Sequence, residues 1–263
     1  MIGIFDSGVG GMTVARAVER TLPGYPLIYF GDLARTPYGS KSPETIIDYS
    51  IQNTEFLLEQ GAELIIVACN SAASVASEEL RQRFDVPFFE VITPAVRSAV
   101  DTTDNGRIGV IGTSATIKSG IYERKISEIA ADHTIFSQAC PLFVPLVEEG
   151  WLNRQETKMI IRRYLHPLKN RQIDTLVLGC THYPLLAELI QPRIGKQVRI
   201  IDSSCAVAAN LKKYLEQNGG IAGKLAGNME NRYYVSDITE GAKAIARRIF
   251  GREIDLIKNR LSH

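Results

Sequence analysis

Apolar residues along this chain fall into two alternating patterns. Short runs rich in β-branched and aromatic residues are followed by longer stretches in which apolar positions recur at helical spacing. Residues 1–5 form the first run and end in a glycine-rich turn. Met12, Val14, Ala15, Val18 and Leu22 then mark one face of a helix. A second strand is expected at residues 27–30. Ser42-Pro43 reads as a helix cap followed by proline in the first turn, and Gly61 as the stop of that helix after Gln60. Residues 64–68 form a buried strand that runs into Cys69. Another strand is expected at 88–92, with a helix beginning after Pro94.

The same grammar restarts near Arg107. A strand at 108–111 opens into Gly112-Thr113, and a helix is expected at 117–131. Strands follow at 134–137, at 176–178, where the run ends in Gly179-Cys180, and at 198–201, which leads into Asp202-Ser203. Such regular alternation predicts an α/β protein with largely parallel, doubly wound sheets and its active loops at strand C-termini. The two halves also resemble each other. Ile2-Gly3-Ile4-Phe5-Asp6-Ser7 matches Ile108-Gly109-Val110-Ile111-Gly112-Thr113, and the strand into Cys69 matches the strand into Cys180. Two similar domains related by a pseudo-two-fold, with a cleft between them, are therefore expected. The first covers residues 1–96, with 208–263 returning to it, and the second covers 97–207. The polar, turn-rich segment 101–106 lies near the boundary.

Composition narrows the function classes. With 30 basic and 29 acidic residues among 263, the chain has no charge excess that would draw it to nucleic acid. Apolar runs such as 64–68 are far too short to span a bilayer, and the N-terminus has no secretion signal. Four scattered cysteines do not make a disulfide framework, so a reducing, cytoplasmic setting with free thiols is expected. There is no C-x-x-C and no H-E-x-x-H, so no metal site is expected.

The chemistry then centres on two strand-end thiols. Cys69 is followed by Asn70-Ser71, and Cys180 by Thr181-His182. Buried cysteines often only fill cores. Two of them at matching places in matching halves point instead to a pair of opposed acid/base groups. Inverting a stereocentre by proton transfer needs one group to remove hydrogen from one face and another to deliver it to the opposite face. Helix N-termini are expected to lower both thiol pKa values toward working pH. The turn Asp6-Ser7-Gly8-Val9-Gly10-Gly11 suits a small carboxylate. The dinucleotide fingerprint fails because Thr13 occupies its third glycine position. Asp6 is a candidate to orient an amine or assist a thiol, and His182 to tune Cys180. The amides around Tyr38 and Gly39 are candidates for a distal carboxylate. Of Glu148 and Glu149 one is expected to reach the cleft. Cys140 and Cys205 read as packing residues.

Together these segments resemble the glutamate racemase family, over nearly the whole chain. The residues that carry the likeness are Gly3 through Gly11, Tyr29-Phe30-Gly31-Asp32, Pro37-Tyr38-Gly39, Ala68-Cys69-Asn70-Ser71, Gly112-Thr113-Ser114-Ala115-Thr116, Cys140 through Gly150, and Leu178 through Leu185. The resemblance implies cofactor-independent interconversion of L- and D-glutamate for peptidoglycan synthesis, by a homodimer. It implies Cys69 acting on the D-isomer and Cys180 on the L-isomer, with Asp6, Glu148 and His182 as auxiliary partners. Substrate contacts are implied for Asp6, Ser7, Tyr38, Gly39, Asn70, Ser71, Thr113, Thr116, Thr181 and His182. The chain departs from the family pattern at Ser71, commonly threonine, and at Thr93, commonly glutamate. Some relatives carry an N-terminal extension linked to activation by a peptidoglycan precursor. The five residues ahead of Asp6 leave no room for it, so that regulation is not expected here. The rival assignments are a racemase for aspartate or another acidic amino acid, and a non-catalytic regulator of DNA gyrase. The intact thiols argue against the latter, and the basic segment 247–260 reads as a solvated face.

Overall fold

A computed structural model describes residues 1–261. Ten strands and twelve α-helices follow one another along it. In the first part these are β1 (Ile2–Asp6), α1 (Met12–Thr21), β2 (Leu27–Gly31), α2 (Pro43–Glu59), β3 (Leu64–Val67), α3 (Asn70–Arg83), β4 (Phe88–Glu90) and α4 (Ile92–Thr102). The second part holds β5 (Arg107–Gly112), α5 (Ser114–Lys118), α6 (Ile121–Ile129), β6 (Thr134–Ala139), α7 (Phe143–Glu148), α8 (Gln155–Asn170), β7 (Thr175–Gly179), α9 (Ala187–Ile194) and β8 (Arg199–Asp202). The chain ends with α10 (Ser203–Gln217), α11 (Gly219–Leu225), β9 (Arg232–Val235), α12 (Glu240–Phe250) and β10 (Leu256–Lys258).

Every strand pairing is parallel. One sheet has the order β10-β9-β2-β1-β3-β4 and the other β6-β5-β7-β8. The second sheet thus repeats the β2-β1-β3-β4 order of the first, which is the duplicated α/β architecture expected from the matching segments. In both sheets the strand order reverses at the central strand, and ligands of open α/β sheets bind at such switch points, outside the strand C-termini. β1, β2, β3 and β7 are buried at every position because helices cover both faces. That double burial is why they read as unbroken apolar runs.

Three local expectations change. The helix expected at 117–131 is two helices, α5 and α6. Gly120 sits between them at φ +63°, a left-handed conformation that breaks the helix and that glycine adopts at little cost. The strand expected at 88–92 stops at Glu90, and α4 starts before Pro94. The buried Glu90 carboxylate accepts from the amides of Ile92 (2.5 Å) and Thr93 (3.0 Å) and from the Thr93 hydroxyl, so it caps α4 from two residues ahead. The departure at Thr93 thereby acquires an account: the carboxylate at this helix start comes from Glu90. In the basic segment 247–260, α12 ends at Phe250 and β10 pairs with β9.

Aromatic packing ties the late strands to the first sheet. Phe30 is fully buried, with its ring 4.7 Å from Phe56, which in turn meets Tyr234 of β9 edge-on at 5.3 Å. Phe30→Ala opens a cavity at this junction and is expected to lower stability by about 3–5 kcal/mol, read from urea unfolding.

Candidate active site

The C-terminal ends of the two sheets face each other. Ser7, Pro37, Tyr38, Gly39, Cys69, Asn70, Ser71, Thr113, Val144, Cys180, Thr181 and His182 line one narrow cavity. Ser7, Cys69, Asn70 and Ser71 come from the β1 and β3 ends. Thr113 and Cys180 to His182 come from the β5 and β7 ends. Both thiols reach this one space, and each is only 5% exposed.

The two lobes close over it by direct contacts. The hydroxyls of Ser71 and Thr113 lie 2.8 Å apart. Thr13 donates to the Thr181 carbonyl at 3.2 Å, and Thr181 donates to Asp6 Oδ1 at 3.2 Å. Gly39 lies so near Thr113 that a Cβ there would sit 2.6 Å from the threonine Cβ. A hydroxyl is what position 71 uses, so its replacement of threonine keeps the interlobe bond.

Some expected residues stand behind the cavity. Asp6 is fully buried, takes the Gly8 amide at 3.0 Å and also binds the Gly11 amide. The carboxylate that the glycine turn cradles is therefore Asp6 itself. Burial raises the Asp6 pKa, against the pull of His182 and those amides. Thr116 does not line the cavity; its hydroxyl lies 3.0 Å from that of Thr113, whose oxygen also caps α5. Tyr38 lines it, but its hydroxyl is spent on Asp32 (2.5 Å) and takes the Asn53 amide (3.0 Å). Asp32 is fixed in turn by Arg35 (2.6 Å) and by Ser236 just after β9 (3.0 Å).

The two thiols have different surroundings. Cys69 caps the N-terminus of α3, yet its thiol is pushed up to about 12, first by burial and then by the Asp6 charge; the Ser7 hydroxyl (3.5 Å) and the Ala72 amide only partly oppose this. The helix terminus therefore does not lower this thiol, contrary to the sequence expectation. Loss of water around the buried sulfur is the largest cause. Beside Cys180 stands His182. Its Nδ1 lies 3.9 Å from the sulfur and its Nε2 3.2 Å from Glu148 Oε1. Burial alone would lower the imidazole pKa, but the bonds to Cys180 and Glu148 lift it to about 10. Glu148 is the glutamate that reaches the cleft, while Glu149 is exposed.

Cys140 is buried among apolar residues, as expected, but Cys205 is exposed on α10 and is not a packing residue. Val144 lines the cavity without having been named as a site residue, since an apolar residue in an apolar run carries no local sign of a site. Among the described residues no cluster of three or more His, Cys, Asp or Glu is placed to hold a metal, and no helix is long and apolar enough to cross a membrane.

Comparison with known proteins agrees with this arrangement. The Asp/Glu/Hydantoin racemase family model matches residues 11–211. The chain is 48% identical to a glutamate racemase from Persephonella marina, covering 99% of this chain and 97% of that protein. Its structure superimposes on a glutamate racemase isoform from Bacillus anthracis with a TM-score of 0.93 at 36% identity, covering 99% and 97% of the two chains. A Francisella tularensis glutamate racemase, solved in complex with D-glutamate, gives a TM-score of 0.90 at 34% identity over the same shares. From this sequence likeness along nearly its whole length, the chain belongs to the Asp/Glu/Hydantoin racemase family.

Proposed function

We propose that this protein is a glutamate racemase that interconverts L- and D-glutamate by passing protons through two thiols, without a cofactor. The observation that carries this reading is that Cys69 and Cys180, from corresponding strand ends of the two lobes, line one closed cavity. The glutamate racemases among its relatives support the substrate. In the L-to-D direction the Cys180 thiolate takes the α-hydrogen, and the C–H electron pair is left on a planar carbanion spread into the α-carboxylate. The Cys69 S–H then delivers its proton to the opposite face, so the new C–H bond has inverted configuration. In the D-to-L direction the thiols exchange roles.

The unequal settings of the thiols match this division. Before substrate arrives, Cys69 holds its proton and is ready as the acid, while Cys180 has the His182 imidazole 3.9 Å from its sulfur. In the reverse direction the substrate ammonium helps Cys69 to ionise, since it offsets the Asp6 charge. His182 and Glu148 assist Cys180, and Asp6 assists Cys69. Ser7, Asn70, Ser71, Thr113, Thr181 and the Tyr38-Gly39 backbone hold the two carboxylates and the amine, with Thr116 supporting Thr113. The same reading divides the lobes at 1–96 with 208–263, and 97–207. It places a cytoplasmic homodimer at the supply of D-glutamate for peptidoglycan.

The test is the initial rate on D-glutamate compared with D-aspartate, followed by circular dichroism. Preference for D-aspartate would reassign the enzyme to the other acidic amino acid. The pH dependence tests the His182 assignment. Its raised pKa means the imidazolium is present below about 10 and is lost as pH rises through that value. L-to-D kcat/KM is therefore expected to fall on that alkaline limb. His182→Asn is expected to lower L-to-D turnover by about 100-fold and to remove the limb. A limb that persists in the variant belongs to another group and would refute the assignment.

A further inference from the structure

Asn70 lines the cavity next to Cys69, is 2% exposed, and uses only one end of its amide. Its Oδ1 accepts a 2.7 Å hydrogen bond from the Tyr122 hydroxyl, while its Nδ2 is buried with no hydrogen-bond partner. A buried N–H without an acceptor is costly, so a site that keeps one is built for an acceptor that arrives with the ligand. Tyr122 decides which end of the amide faces the cavity. Turned the other way, Asn70 would point its NH₂ at the phenol and leave the phenol proton without this acceptor.

Tyr122 is well placed to hold that choice. It is 1% exposed and comes from α6, in the opposite lobe from α3, which Asn70 opens. Its ring packs on Gly179, the residue before Cys180; a Cβ on that glycine would lie 3.2 Å from Tyr122 Cε2. Burial, and after it the Glu90 carboxylate and Cys180, keep the phenol protonated well beyond the usual tyrosine range, so it remains a donor.

We infer that Tyr122 is a positioning residue for substrate: across the lobe seam it locks the Asn70 amide so that Nδ2 donates to a carboxylate oxygen of the bound amino acid. The inference rests on the glutamate reading above. Because the bond joins the two lobes, the amide is correctly turned only when they are closed, which couples substrate capture to closure.

The test measures D-glutamate binding by calorimetry and racemisation kinetics on the same proteins: wild type, Tyr122→Phe, Asn70→Ala and the double variant. Tyr122→Phe keeps the ring and is expected to raise Kd and KM about tenfold, with kcat changed by less than about threefold. In the Asn70→Ala background the same change is expected to add nothing. Effects that multiply, or a Tyr122→Phe protein that binds like wild type, would overturn the inference. Asn70→Asp is a second check: it can still accept from Tyr122 but offers no N–H, so it is expected to bind as weakly as Asn70→Ala. Wild-type affinity in that variant would also overturn it. A wild type that binds glutamate without racemising it sinks the proposed function but leaves Tyr122 to be judged on Kd. One that does neither sinks both.

Discussion

Cys69→Ser and Cys180→Ser are each expected to lose racemase activity by about a thousandfold or more while keeping the fold. The magnitude follows from removing a positioned acid/base group, which supplies about 10²–10⁴-fold in rate. Serine fits either site sterically, so the loss is chemical. A hydroxyl gives up its proton far less readily than a thiol, so serine is a poor partner for proton exchange with the α-carbon. At position 69 the neighbours are the Ser7 hydroxyl and the raised Asp6 carboxyl. Beside position 180 stands the His182 imidazole, whose raised pKa rests partly on the Cys180 sulfur that the substitution removes. Both directions fail in both variants, since each turnover uses one thiol as base and the other as acid. Chiral chromatography of the product measures the effect, and thermal melting separates it from unfolding. A variant with full activity would remove its sulfur from the reaction.

Gly10→Ala is expected to cost about 100-fold in activity although residue 10 makes no bond with its own side chain. A Cβ there would lie 2.3 Å from His182 Nδ1, 2.5 Å from its Cε1 and 2.8 Å from Thr181 Oγ1. The imidazole cannot yield without giving up its contacts with Cys180 and Glu148, because both of its nitrogens are engaged. The other escape is to separate the lobes, which breaks the Thr181–Asp6 and Thr13–Thr181 bonds. Either way a reacting group moves by an ångström or so, and such a displacement costs on the order of 10²-fold in a preorganised site. Gly223→Ala is the matching control. It lies on α11, where an added Cβ meets nothing within 4 Å, and its activity is expected to be unchanged.

β1, β2, β3 and β7 were legible because burial on both faces leaves no polar alternation, and the strand-end cysteines were legible because the duplication repeats them. β9 and β10 were less so. Arg232-Tyr233-Tyr234-Val235 and Leu256-Ile257-Lys258 are short, and they join the first sheet only after the chain has built a second one. No local pattern announces so distant a partner. At the site, adjacency in sequence pointed to Asn70, Thr181 and His182. Tyr122 was missed because its partner lies on the other lobe, and from helical spacing alone it is one more apolar position of α6. The acid strength of Cys69 was misjudged for the same reason. A helix start is visible in sequence, but the burial that strips water from the sulfur is not.

Heavy water tests the two-thiol account most directly. L-glutamate is incubated with the purified protein in D₂O with no added cofactor, and both enantiomers are separated and weighed by mass spectrometry at low conversion. The account predicts that nearly all D-glutamate formed carries one deuterium at the α-carbon, delivered by Cys69, while recovered L-glutamate remains protiated. Deuterium appearing equally in substrate and product would mean that a single base serves both faces, and D-glutamate that retains the original hydrogen would mean that no opposed acid exists.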